Sequence, residues 1–221
     1  MAAEFEDKAK LVSFYGSFGV TVAPDVEEDT TGSGGSSHYV WNDPEDSVGQ
    51  RVAMGHLIGK GKESGGWALG VELASSTTDI TPRSYEVGGL NFANTSSRTL
   101  RYTTAGALLY GGYQFGINNV PEEVSVFFFL TPFIGGGAAW ADSEIRDSLG
   151  SYASERGVGY YLEGGLRFGF AITEKNWLLG IMVDGVIGTS TVNIDFSGGQ
   201  SSELTLERGG VGGAFFVGYR L

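Results

Sequence analysis

The chain has 221 residues, a length that suits one domain, and it contains no cysteine, so disulfide bonds and thiol chemistry are excluded. Its formal net charge of −12 argues against a nucleic-acid-binding protein, because phosphate recognition requires a basic surface and the sequence has no basic stripe. The 37 glycines and the 28 aromatic residues (4 Trp, 10 Tyr and 14 Phe) favour β structure.

Eight stretches of the sequence have the features of long β-strands. Each is apolar on at least one face and is bounded by clusters of Gly, Pro, Asn, Asp or Ser. In chain order, the predicted strands are residues 11–23, 48–60, 66–79, 99–115, 124–141, 156–172, 176–194 and 204–221. The segment 124–141 is also long enough for a transmembrane helix. Its Pro132, its glycines and its β-branched and aromatic residues favour a strand, with a bulge or bend at Pro132.

The connections between the predicted strands alternate in length along the chain. The short connections are 61–65, 116–123 and 173–175, and the long, polar ones are 24–47, 80–98, 142–155 and 195–203. Outer-membrane barrels have short periplasmic turns and longer outside loops. The pattern therefore predicts an all-β chain folded as an eight-stranded antiparallel up-and-down transmembrane β-barrel. We expect the long loops, above all 24–47, to be mobile, since they offer little apolar area to offset ordering entropy.

The N-terminal residues 1–10 are predicted to be a periplasmic segment that precedes the barrel of residues 11–221. No apolar h-region follows Met1, so the sequence shows no secretory signal. If the chain forms an outer-membrane barrel, we expect it to be a mature form from which the signal was removed, with Met1 as a possible addition.

Alternation within the predicted strands separates an apolar face from a face that carries charge. In the sixth strand, Leu166 and Phe168 share one face, whereas Glu163 and Arg167 share the other. Asp184 lies on the less apolar face of the seventh strand. In a membrane barrel the apolar face points to lipid and the charged face into the lumen. The second and fourth predicted strands are ambiguous.

Inward charges are predicted to form an ion-pair network in the lumen. Its members are Glu72, Glu163, Arg167 and Asp184. A turn at 173–175 would place Gly165 opposite Asp184, so that Arg167 reaches Asp184 diagonally and Glu163 along its own strand. We favour a structural plug, because an eight-stranded barrel is filled by side chains and buried charges persist mainly in pairs. A proton or solute path is the alternative.

Aromatic residues near the strand ends are predicted to form girdles at the two membrane interfaces. Trp67 and Trp177 each follow a short turn, which assigns them to the periplasmic end, whereas Trp140 belongs to the outer end. The predicted girdle residues are Trp67, Tyr113, Trp140, Phe170, Trp177 and Tyr219.

The two histidines are the candidates for acid–base chemistry. Serines precede His38 and acidic residues follow it, as in some acyl-transfer sites, but the flexible Gly and Ser residues around it would not hold a catalytic geometry. We therefore expect no catalytic residue, and we expect His56 to be packed or lumenal. The acidic segment 24–47 lacks the spacing of an EF-hand, so a solvated surface is favoured and neither metal nor cofactor is expected. Arg83, Arg98 and Arg101 are expected at the outer rim, facing lipopolysaccharide phosphates or solvent.

The arrangement resembles the small eight-stranded outer-membrane barrels, the OmpA transmembrane domain and OmpX-like family, over residues 11–221. The resemblance lies in topology and alternation, and it includes no catalytic motif. In that family the last strand ends in an aromatic residue that serves as an assembly signal for the barrel-insertion machinery. Phe215, Val217 and Tyr219 fit this pattern, whereas the terminal Leu221 departs from it.

The resemblance implies an architecture more than a function. Because the sequence signals are for folding in lipid and the long loops face outward, we expect a non-enzymatic outer-membrane protein with a structural or surface-interaction role. The implied partners are outer-membrane lipid, lipopolysaccharide and an extracellular partner that binds the loops, with no role for nucleic acid. A narrow channel and a lipid A-modifying enzyme are the alternatives. A soluble lipocalin-like barrel is disfavoured, because the outward apolar rows would then face water.

Overall fold

The computed structural model describes residues 10–42, 48–60, 66–94, 98–117, 124–146 and 152–220. Twelve antiparallel strands of these residues belong to one sheet. The strands are β1 (Lys10–Val22), β2 (Asp25–Gly32), β3 (Gly35–Asn42), β4 (Val48–Lys60), β5 (Gly66–Ile80), β6 (Ser84–Val87), β7 (Leu90–Ala93), β8 (Thr99–Ile117), β9 (Val124–Arg146), β10 (Tyr152–Glu174), β11 (Trp177–Asp195) and β12 (Ser201–Arg220). No helix in this part of the chain is long and apolar enough to cross a membrane.

The long strands pair in a ring. Their order is β1, β4, β5, β8, β9, β10, β11 and β12, and β12 pairs in turn with β1, where Phe18 lies opposite Phe215. They correspond to the strands predicted from the sequence, with bounds that differ by a few residues. β1 begins and β12 ends at the end of the ring where Lys175 and Asn176 connect β10 to β11. This is the turn-side end, and the opposite end is the loop-side end.

Four short strands, β2, β3, β6 and β7, continue the sheet beyond the loop-side end, and we call them the sheet extension. β2 pairs with the part of β12 that extends beyond the pairing of β12 with β1. β3 then pairs with β2, β6 with β3, and β7 with β6. The segments 24–47 and 80–98, which the sequence analysis assigned to loops, therefore contain paired strands in their described residues, which exclude 43–47 and 95–97. The side chains of Val26 and Trp41 are 1% and 3% exposed, and this burial offsets ordering entropy.

The other two connections at the loop-side end are also shorter than expected. β9 continues to Arg146 and β10 starts at Tyr152, so that only 147–151, which lie outside the described residues, separate them. β11 and β12 are joined by a compact turn in which the Phe196 amide donates to the Gln200 carbonyl over 2.8 Å. Paired strand therefore replaces much of the polar sequence that was predicted to be loop.

The register of the β10–β11 hairpin differs from the predicted one by two residues. The turn consists of Lys175, with a φ of 52°, and Asn176, so Glu174 lies opposite Trp177. Arg167 is consequently opposite Asp184, where the sequence analysis placed Gly165. β10 extends to Glu174, two residues beyond its predicted end, whereas β11 begins at Trp177, one residue after its predicted start. The shift of two in the register keeps every side chain on its predicted face.

The segment 124–141, for which a transmembrane helix was the alternative, belongs to strand β9, and Pro132 lies within this strand. The β8–β9 ladder passes from Tyr110 opposite Phe133 to Tyr113 opposite Leu130, with no inserted residue. Of the two features expected at Pro132, a bulge or a local bend, the bulge is therefore absent from the β8–β9 pairing. The ladder omits the positions around Pro132, because proline has no N–H to donate, and the register continues unchanged beyond them.

Side chains alternate between the interior and the outside of the ring. Along β10 the inward order is Ala171 in one apolar cluster, then Arg167 and Glu163, then Tyr161 in a second apolar cluster. The first cluster contains Ala68, Leu108, Tyr110, Phe127, Phe133, Ala171, Leu178, Met182, Val186 and Phe216. The second contains Val26, Trp41, Ile80, Leu100, Tyr102, Ala139, Ala141, Tyr161, Val192, Ile194, Leu204 and Leu206. The charged side chains on β10 are thus enclosed between apolar layers.

Candidate functional site

The interior of the ring contains a cluster of four charged residues, Arg51, Glu72, Arg167 and Asp184, which we call the central charged cluster. The Arg167 guanidinium donates to Asp184 through Nε (2.8 Å) and Nη2 (2.9 Å). It also donates to Glu72 through Nη1 (2.8 Å) and Nη2 (3.3 Å). Arg167 therefore bridges two carboxylates in a bidentate manner, an arrangement that combines strength with geometric specificity.

Arg51 closes the cluster from the other side of the two acids. Its Nη2 donates to Glu72 over 2.6 Å and its Nη1 to Asp184 over 3.2 Å. Two guanidinium groups thus face two carboxylates, so the cluster has no net formal charge. Glu72 is 0% exposed, Arg167 2% and Asp184 6%, so solvent screens these interactions little. Both carboxylates are hydrogen-bonded by both guanidinium groups, and such pairing offsets the cost of burying the charges.

Two of the predicted network contacts differ in the structure. Glu163 pairs with Arg208 on β12 over 3.2 Å, whereas the sequence analysis gave it to Arg167. The second acid at Arg167 is instead Glu72, which projects across the interior from β5. Arg51 was missed because the second predicted strand had no assigned face. The sequence does place the apolar residues Val52 and Met54 on the strand face opposite to Arg51, and in the structure both are exposed on the outside of the ring.

Tyrosine side chains support the central charged cluster on its turn-side flank. The Tyr15 hydroxyl donates to Glu72 over 2.7 Å, and the Tyr110 hydroxyl donates to the His56 carbonyl over 3.1 Å. A Cβ added to Gly55 would lie 2.2 Å from the Tyr15 ring, and one added to Gly70 would lie 2.1 Å from the Tyr110 ring. The two glycines therefore let the rings lie flat on the strands below them.

A second buried ion pair lies near the loop-side end, and we call it the outer ion pair. Arg98 donates to both Glu28 oxygens, through Nη1 (2.6 Å) and Nη2 (3.0 Å), and to Ser143 Oγ through Nε (3.2 Å). Trp41 Nε1 donates to Glu28 over 3.3 Å, and the Arg98 guanidinium lies 5.0 Å from the Trp41 ring. The expectation that Arg98 faces solvent or lipopolysaccharide is therefore wrong. This pair attaches β2 of the sheet extension to the ring.

Other aromatic and charged residues surround the outer ion pair and the rim. The ring of Tyr85 meets that of Trp41 edge-on at 5.7 Å, and burial raises the pKa of Tyr85 to about 12. Arg101, by contrast, lies on the outer surface and donates to Asp79 through Nε over 2.8 Å.

The outside of the ring carries an apolar belt. On β11 the outward side chains of Leu179, Ile181 and Val183 are 53%, 48% and 46% exposed, whereas inward Leu178 and Met182 are 1% and 4% exposed. From Trp177 to Ile187 the outward residues other than Gly185 are large and apolar. With about 3.3 Å per residue and a tilt of about 40°, this stretch covers about 25 Å, the height of a bilayer-facing band.

Aromatic pairs mark the turn-side edge of this belt. The rings of Trp67 and Tyr113 meet edge-on at 5.9 Å, and those of Trp177 and Tyr219 do so at 5.7 Å. Phe170 contacts Phe128 on the same outer face with the ring centroids 5.2 Å apart. Trp140 also faces outward, nearer the loop-side end of β9, opposite Val158. All six predicted girdle residues thus lie on the outer face.

His56 lies on the outer face of β4, which corrects the expectation of a packed or lumenal imidazole. Its ring centroid is 4.6 Å from that of Phe14 on the neighbouring strand. Phe14 lies opposite Tyr219, and Tyr219 lies opposite Trp177, so His56 continues the turn-side row of rings. This position is compatible with an amphipathic ring at a membrane interface.

His38 lies in the sheet extension, on the exposed face of β3. Its Nδ1 is 2.8 Å from Asp29 Oδ1, and the side chains are 53% and 66% exposed, respectively. The hydrogen bonds described for His38 include no serine hydroxyl, and no group of three or more His, Asp or Glu residues suited to a metal occurs among the described residues. The geometry at His38 is that of a solvated surface pair.

Comparisons with known proteins found structural similarity only. No family model matches the chain, and no curated protein matches it. Similar solved structures include Ail, the attachment invasion locus protein of Yersinia pestis, at 13% identity with a TM-score of 0.32, covering 94% of this chain and 99% of that one. The outer membrane protease OmpT of Escherichia coli has 9% identity and a TM-score of 0.41, covering 95% and 97%. Neisserial surface protein A has 11% identity and a TM-score of 0.27, covering 94% and 97%. Similarity at this level transfers no activity to the chain.

Proposed function

We propose that this chain is a bacterial outer-membrane β-barrel protein with a structural or surface-interaction role. The long strands β1, β4, β5 and β8 to β12 form the transmembrane barrel, and the sheet extension projects outside. The apolar belt carries this proposal, because about 25 Å of outward apolar side chains on a ring of strands fits the hydrocarbon layer of an outer membrane. In water the same belt would be a large exposed apolar patch.

Detergent partition and heat-modifiable migration test this proposal directly. We expect the purified chain to partition with detergent, and we expect its migration in denaturing gels to change after boiling. The reason is that a closed barrel resists unfolding by detergent at room temperature. A chain that stays in the aqueous phase as a monomer, with the same migration before and after boiling, would contradict the proposal.

The lumen is proposed to be closed to solutes. The central charged cluster fills it between the apolar layers, and the outer ion pair holds part of the sheet extension over its loop-side end. An eight-stranded barrel leaves room for side chains and little else. We expect no steady conductance from the protein in planar bilayers, and a reproducible unitary conductance would favour the narrow-channel alternative.

The surface role is assigned to the sheet extension. Its outer face is acidic, with Asp25 opposite Glu207 and Asp29 opposite Glu203 on adjacent strands. Like charges directly opposite each other disfavour the folded strand pair, so this face is not explained by stability alone. We propose that outer-membrane lipid and lipopolysaccharide contact the belt, that the barrel-insertion machinery assembles the chain, and that an extracellular partner contacts the extension.

A further inference from the structure

A small cavity lies in the interior on the turn-side of the central charged cluster. Its volume is about 30 Å³, and Phe127, Leu178 and Phe216 contribute to its apolar lining. Arg167 and Tyr15 line it as well, so it adjoins the charged residues. Gln114 is three positions from the end of β8, which places the cavity near the turn-side mouth of the ring.

Two polar side chains in the cavity lining have buried atoms without a protein partner. Gln114 is 7% exposed and Thr131 is 2% exposed. Within the described part of the chain, Gln114 Nε2 and Thr131 Oγ1 make no hydrogen bond. Buried donors and acceptors without a partner are rare in folded proteins because the lost hydration is costly. Both residues line the same cavity, so one ligand can satisfy them together.

We propose that this cavity is an internal water-binding site in which Gln114 and Thr131 hold about two water molecules. A water needs about 10–15 Å³ of such space and at least two polar partners, so the volume and the lining match this number. The waters accept from the Gln114 amide and bond the Thr131 hydroxyl, and they hydrate the turn-side of the cluster at Arg167. The bound water therefore lies next to the central charged cluster, on its turn-side.

A matched pair of substitutions tests the site. Thr131→Val keeps the shape of the side chain and removes the hydroxyl. Thr78→Val makes the same change at a residue that is 1% exposed and does not line this cavity. Its Oγ1 likewise makes no hydrogen bond to any residue that the structure describes. We expect Thr131→Val to lower the thermal unfolding midpoint more than Thr78→Val does, because only the first disrupts a bound water. An equal or higher midpoint for Thr131→Val would overturn the proposal.

A crystal structure of the unmodified protein gives a second readout, which does not depend on the variants folding. We expect ordered solvent density within hydrogen-bond distance of Gln114 Nε2 and Thr131 Oγ1. Well-ordered side chains around a cavity without solvent density would overturn the proposal. Elongated density continuous with a detergent or lipid chain would do the same, since the occupant would then be apolar.

Discussion

Arg167 and Glu72 lie on strands that are not neighbours in the ring, and two hydrogen bonds of 2.8 and 3.3 Å join their side chains across the interior. Arg51 repeats the connection from β4, since it also contacts Glu72 and reaches Asp184 on β11. Backbone ladders connect only adjacent strands. The Arg167–Glu72 and Arg51–Asp184 pairs therefore add contacts across the ring that no strand pairing supplies, whereas Arg51 and Glu72 lie on the neighbouring strands β4 and β5.

Substitution of Arg167 is expected to destabilise the barrel strongly. Arg167→Met leaves the buried carboxylates of Glu72 and Asp184 with Arg51 as their shared cation, and breaking a buried pair costs about 3–5 kcal/mol. Denaturant unfolding of the protein in detergent micelles measures the free-energy change. Arg101→Met is the control, because Arg101 pairs with Asp79 on the exposed surface, and we expect no measurable change. Equal stability of both variants would show that the central charged cluster does not hold the ring.

A charge placed in the apolar belt is expected to impair membrane insertion. Ile181→Arg puts a guanidinium near the centre of the belt, where an arginine costs about 2–4 kcal/mol in a membrane barrel. Asn193→Arg makes a matched change on the same face of β11, beyond the belt. We expect only the first variant to fold poorly into lipid vesicles, as measured by heat-modifiable migration. Equal insertion of the two variants would argue against a lipid-facing belt.

The orientation of the barrel predicts which segments a protease reaches on intact cells. The sheet extension lies at the loop-side end, so we expect cleavage within it and protection of the Lys175–Asn176 turn. Glu28→Gln weakens the outer ion pair and should speed the cleavage, since Arg98 then loses its charged partner. Mass spectrometry of the fragments locates the cut. Cleavage at Lys175 with an intact extension would reverse the orientation.

Catalysis at His38 is not expected. The imidazole pairs with Asp29 on an exposed strand, where solvent competes for both groups, and a catalytic base needs a nucleophile within reach. His38→Ala should therefore leave the lipid A profile of expressing cells unchanged in mass spectra. Loss of a lipid A modification in that variant, with the barrel folded, would support the lipid-enzyme alternative.

The strands of the ring could be predicted because their signal is local. Alternation of apolar and other residues at period two identifies a strand whatever its neighbours are, and Asp184 and Arg167 could be assigned to the interior in this way. The register of the β10–β11 hairpin was harder to predict from the sequence. A two-residue turn at Lys175 and a turn two residues longer put the same side chains on each face of the strands. The contact between Arg167 and Glu72 was missed for a further reason, since it depends on the closure of the whole ring.

The sheet extension could not be predicted from its composition. β2 and β3 are short and contain Gly, Ser, Thr and acidic residues, which are typical of loops, and Trp41 and Val26 are the few residues that anchor them. Pairing of β2 with the end of β12 supplies the remaining stabilisation, and that pairing exists only once β12 is in place. A local pattern carries no information about such a partner.

Depth-resolved spin labelling on β11 tests the transmembrane assignment most directly. The chain has no cysteine, so a single Cys at Ile181, Met182 or Asn193 gives one label of known position. In lipid vesicles, we expect oxygen to reach the label at Ile181 far better than a water-soluble nickel complex does. We expect the reverse at Asn193 and poor access of both reagents at the inward Met182. Access of the nickel complex to Ile181 equal to its access to Asn193 would show that this face of the ring meets water, and the membrane-spanning barrel would be contradicted.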